Sequence, residues 1–206
     1  MTTTTEAAPD GRLRVHAESR AEWRTWLEAN HERPQGVWLV TWRTGARPDR
    51  PRMTYEEQVL EALCFGWVDS TAGTLDPERA VLWMSPRRKG SAWSRPNKER
   101  VVRLEAEGLM RDPGRRAIDA AKADGSWTIL DSVEDGIVPH DLAAAFAAIP
   151  GADARWETFT KGSRKQMLAW IAQAKRPETR ANRVAETAAA AGRGELAGPL
   201  RPKEGA

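Results

Sequence analysis

The apolar positions of the chain change period along its length. Trp23, Trp26 and Leu27 fall on one helical face, after a Ser19–Glu22 pair with the spacing of a capping box. "GVWLVTWRTG" (36–45) is dense in Val, Trp and Thr and is bounded by glycines, which predicts a strand. Thr54 and Glu57 make a second capping box ahead of Val59, Leu60, Leu63 and Cys64, again at helical spacing. "WVDSTAGTL" and "RAVLWMS" then read as two strands joined through "DPE", where Pro77 suits a turn. The N-terminal half is therefore expected to be a small antiparallel sheet with helices.

Helical spacing dominates after residue 95. Pro96 opens a helix that Gly108 ends, and Asp112 with Pro113 starts another. Residues 125–139 read as irregular. Pro139 opens an Ala-rich helix, a short helix covers 153–159, and Ser163 with Gln166 forms a third capping box before Met167, Leu168, Trp170 and Ile171. Pro177 begins the last helix, which ends near Gly192. The expected class is α+β. Its parts are an α/β portion over 14–95 and a helical portion over 96–192, between disordered tails at 1–13 and 193–206.

Composition narrows the function classes. Ten tryptophans against three Phe and one Tyr put much of the apolar surface into a few large rings. Each such ring buries roughly 150–250 Å² and carries an N–H that needs a partner. A net charge of +3, from 32 basic and 29 acidic residues, argues against a dedicated nucleic-acid binder. The single Cys64 leaves no internal disulfide and reads as a buried thiol. No stretch approaches the roughly 20 apolar residues of a membrane span, and the start lacks a secretory pattern. A cytoplasmic protein without membrane insertion is the expectation. His16, His31 and His140 are scattered, so neither a metal nor another cofactor is expected.

The densest chemistry lies in "MSPRRKGSAWSRPNKERV" (84–101). Arg87 and Arg88 each offer a planar fork able to hold a carboxylate or phosphate. Ser94 and Asn97 add polar groups, Trp93 adds a ring face, and a helix N-terminus follows. Together they would make a site for a small anionic ligand, walled by Trp67 and Trp93. A solvated basic turn, with Ser94 as a helix cap, explains the same residues. Asp69, between large apolar neighbours in "FGWVDS", is a candidate general acid/base; the alternative is a turn or a bridge to an arginine. Trp93 among cations also allows a weak nucleic-acid reading. Whether any reaction is catalysed stays open, as does the oligomeric state.

"EALCFGWVDS", "MSPRRKGSAWSRPNKERV" and "RKQMLAWIAQAKRPETRANRV", in this order, resemble the YdeI/OmpD-associated, bacteriocin-protection-like family. The resemblance runs from about Arg14 to Ala191. The family's aromatic-Thr-Pro-Arg-Arg pattern stands here as Trp83-Met84-Ser85-Pro86-Arg87-Arg88, with the aromatic displaced by one position. The resemblance implies a small bacterial protein linked to protection against bacteriocins and cationic antimicrobial peptides. It brings no set of catalytic residues.

Overall fold

The computed structural model describes residues 3–201 and shows an α+β chain in two compact units. The first comprises residues 3–91 and Pro96–Asp124; the second comprises Ala92–Arg95 and residues 125–201. The sequence-based boundary at residue 95 thus differs from the observed grouping, in which two further helices stay with the sheet.

The first unit is built on five strands, β1 (Thr4–Ala7), β2 (Leu13–His16), β3 (Val37–Trp42), β4 (Trp67–Thr74) and β5 (Arg79–Pro86), in the order β1-β2-β3-β5-β4. Thr4–Ala7 lies within the expected disordered tail but is an edge strand paired with β2. The sheet is mixed, not wholly antiparallel. β2 and β3 run parallel, with Leu13 opposite Val37, because the helix α1 (Arg20–Asn30) crosses between them. β3, β5 and β4 are antiparallel, as the hairpin pattern predicts.

One sheet face carries Val37, Leu39, Leu82 and Met84, all buried. With α1 and α2 (Tyr55–Cys64), Trp23, Trp26 and Trp67 form the aromatic centre of this unit. Trp67 stands edge-on to Trp26 at 5.8 Å between centroids, and its indole N–H donates to the His31 carbonyl at 3.0 Å. The Trp67 ring is thereby packed and its polar atom satisfied. The Thr54–Glu57 box is formed in full. At the other α1 start, Ser19 accepts from Glu22 N–H, but the Glu22 carboxylate takes the Glu18 N–H, so the reciprocal bond is displaced by one residue.

Two helices complete the unit: α3 (Arg95–Ala106), whose first residue belongs to the second unit, and α4 (Asp112–Ala123). Gly114 lets α4 approach α2: a Cβ there would stand 2.5 Å from the Cys64 carbonyl oxygen. Beneath α1, the buried Glu61 carboxylate receives Arg20, and also Arg24 at 2.6 Å.

The second unit is helical: α5 (Asp131–Glu134), α6 (His140–Ala147), α7 (Ala152–Thr158), α8 (Lys161–Ala172) and α9 (Pro177–Arg193). Leu142, Phe146, Trp156, Met167, Leu168, Ile171 and Val184 form its core, with small residues of α9 allowing close approach. The third expected capping box is shifted. Thr160 caps α8 and accepts from Ser163 N–H, so the helix starts three residues before Arg164. The described residues after 193 also carry structure. Ala197 is fully buried, its N–H pointing at the Met167 sulfur, and a short 3-10 turn spans Gly198–Leu200. The rest of the expected C-terminal tail lies outside the described residues.

Candidate anion site

The topology of the first unit gathers three chain segments at one end of the sheet. β2 and β3 both start at this end and β5 finishes there, so Leu13, Val37 and Met84 are lateral neighbours. The flanking residues are the β1–β2 turn, the α1–β3 loop and the exit from β5. They enclose a cleft of about 800 Å³. Its lining includes Arg12, Arg33, Arg87 and Arg88, with Asp10 as the one carboxylate, and the Trp83 indole on the wall.

Each cation has a local reason for its place. In the β1–β2 turn, Ala8 N–H donates to the Arg12 carbonyl at 2.7 Å, and Arg12 N–H donates to Asp10 Oδ1 at 3.0 Å. Gly11 takes φ 75°, a conformation glycine adopts without penalty. That turn lays the Arg12 guanidinium over Trp83, its Cζ 4.9 Å from the ring centroid. Arg33 follows the end of α1, its N–H bonded to the Asn30 carbonyl at 3.0 Å. Its Nε is buried and has no hydrogen-bond partner among the described residues. The Arg87 N–H donates to the Gly66 carbonyl at 2.9 Å, which continues the β4–β5 ladder past Pro86 and turns this side chain inward. Arg88 is exposed at the rim. Burial pushes the Arg87 guanidinium down to about 10, and the Asp69 charge opposes that shift. Arg87 therefore remains a cation at neutral pH.

The residues singled out from sequence are not all brought together. Arg87 and Arg88 line the cleft; Trp67 does not, being fully buried in the aromatic centre. Asn97 lies on α3 and accepts from Arg100 at 2.8 Å, and Arg100 in turn holds Glu56. Trp93 and Ser94 belong to the second unit, where Trp93 is buried 5.0 Å from Trp127 and its N–H bonds the Ser126 carbonyl at 3.3 Å. Arg95 pairs with Asp135 at 2.6 Å. The basic loop is thus divided, and Arg95, Arg100 and Arg103 have carboxylate partners. Asp69 sits half-buried on β4 opposite Met84 and accepts the Tyr55 hydroxyl at 2.8 Å. Burial and that bond push Tyr55 up to about 12.

Sequence reading missed Arg12, Arg33 and Trp83. Arg12 stood in a segment taken as a tail, and Arg33 in the stretch between the first expected helix and the 36–45 strand. Only the parallel β2–β3 pairing makes them neighbours of Arg87.

Residues 15–117, half of the 206-residue chain, match the family described as a domain of unknown function, DUF8412. Residues 135–194 match the family described as Bacteriocin-protection, YdeI or OmpD-Associated. The chain belongs to the DUF8412 family and carries a YdeI/OmpD-associated domain. Of the three segments that resemble the latter family, "RKQMLAWIAQAKRPETRANRV" lies in its match, while the first two lie in the DUF8412 match. Arg33, Trp83, Arg87 and Arg88 fall within that DUF8412 part. No curated protein and no solved structure matches the chain. Among the described residues, no helix is long and apolar enough to cross a membrane.

Proposed function

We propose that this chain is a ligand-binding protein of the bacteriocin-protection type, whose first unit holds a small anionic ligand in the cleft formed by Arg12, Arg33, Arg87 and Arg88. The observation that supports it is the make-up of the lining: four guanidinium groups and one carboxylate, Asp10, which the Arg12 side chain already faces at 3.6 Å, while Arg33 keeps a buried Nε without a hydrogen-bond partner among the described residues. Cations gathered in a concave site repel one another unless an anion joins them. An arginine's fork fits carboxylate or phosphate oxygens in two parallel bonds, giving geometry as well as charge. Trp83 and the flanking prolines, Pro34 and Pro86, provide apolar wall.

Thermal unfolding at constant ionic strength tests this. Sodium phosphate should raise the midpoint of the wild-type chain above that in sodium chloride, since a ligand bound only by the folded state stabilises it. The excess should vanish in Arg33→Gln/Arg88→Gln, with the circular dichroism of the double variant unchanged. Equal phosphate and chloride midpoints for the wild type, or an excess undiminished in the variant, would refute the reading.

A further inference from the structure

The anion site is larger and more asymmetric than an inorganic anion needs. Its volume of about 800 Å³ is that of a pocket for an organic molecule, several times the size of one phosphate group. Charge is unevenly placed along it. Arg33, Arg87 and Arg88 come from the α1–β3 loop and the β5 exit, whereas Arg12 lies over the Trp83 ring at 4.9 Å. The Trp83 indole is itself braced edge-on by Trp38 across the β3–β5 ladder, 5.1 Å between centroids. Gly36 fits under it, since a Cβ there would stand 2.7 Å from Trp83 Cζ2. A guanidinium laid on a braced indole has a second face left for a planar group, because both partners are flat and already ordered.

Resting on the anion reading above, we infer that the ligand is a ring-bearing phosphate monoester. Its dianionic phosphate meets Arg33, Arg87 and Arg88, and its planar ring stacks on the Arg12–Trp83 pair. The lining argues for a dianion over a monocarboxylate. Arg12 faces Asp10 at 3.6 Å and Arg87 feels the Asp69 charge, whereas Arg33 and Arg88 have no carboxylate partner among the described residues, which leaves two positive charges for a dianion to match. A phosphate monoester carries about −1.5 to −2 at neutral pH and offers three acceptor oxygens.

Isothermal titration of the full chain at pH 8 with phenyl phosphate, inorganic phosphate and benzoate separates the parts. Phenyl phosphate should bind at least about tenfold tighter than either other probe, that is by about 1.4 kcal/mol or more. Arg12→Ala should lower phenyl phosphate affinity by a larger factor than inorganic phosphate affinity, so that the ratio between the two falls toward one. Phenyl phosphate affinity should also fall as pH drops from 8 to 5, through the second phosphate ionisation near about 6. Equal affinities for phenyl phosphate and inorganic phosphate overturn the ring but leave the anion site. Benzoate equal to phenyl phosphate overturns the dianion. Failure of all three probes overturns both the monoester and the anion reading beneath it.

Discussion

Trp83 lies against Gly36 so closely that a Cβ at position 36 would sit 2.7 Å from its Cζ2 and 2.5 Å from the Met84 carbonyl oxygen. The second of these neighbours is backbone within the β3–β5 ladder and has little freedom to retreat. Gly36→Ala should therefore cost about 2 kcal/mol, the usual scale of overpacking a dense site. Thermal or urea unfolding measures it. A stability within experimental error of wild type would mean that Trp83 moves freely and that the cleft wall is not fixed.

Glu61 is almost fully buried, and Arg20 and Arg24 converge on its two carboxylate oxygens. Removing one member of a buried ion pair leaves the others desolvated and uncompensated. Glu61→Gln should lower stability by about 3 kcal/mol, read by chemical denaturation. Glu61→Asp, which keeps the charge with a shorter reach, should lose less. The reverse ranking would show that shape, not charge, fixes this triad.

Tyr55 is the single tyrosine of the sequence, so its ionisation can be followed alone. Burial raises its hydroxyl from 10.0 to about 12, and the bond to Asp69 adds to the shift. The folded state therefore keeps this proton over a range where the unfolded chain has lost it. The resulting stability is complete below pH 10 and is lost as pH rises toward 12. Tyrosinate absorbance should show a midpoint near 12 in the wild type and a lower one in Asp69→Asn. Identical midpoints would remove Asp69 as a partner of the hydroxyl.

Trp67 combines full burial with an N–H donated to His31. Trp67→Phe loses packing volume and leaves the His31 carbonyl without this donor, a combined cost of about 2 kcal/mol. Phosphate affinity at the arginine cleft should stay within about twofold of wild type, because the ring is part of the aromatic centre and not of the cleft lining. A large loss of affinity with no loss of stability would return Trp67 to the binding site.

Local signals in the chain identified most elements. The Thr54–Glu57 box starts α2 and Gly108 ends α3 as expected, whereas α9 runs past the expected Gly192 to a C-cap at Gly194. The Val- and Trp-rich runs became β3, β4 and β5. Those features depend on residues within one or two turns of each other, so sequence spacing carries them. Thr4–Ala7, exposed along its whole length, has no apolar alternation to reveal it; its strand exists because β2 offers an edge.

The sequence by itself determined the α+β class, the helical second half, the inward-packing tryptophans and the concentration of arginine around residue 87. Tertiary structure alone decided that β2 and β3 are parallel, and so that Arg12 and Arg33 join Arg87 and Arg88 while Trp93 and Ser94 lie in another unit. The physical reason is range. Helix caps and strand alternation are settled by neighbours in sequence, whereas a site at one end of a sheet depends on which strands pair, and pairing is chosen by burial across the whole unit.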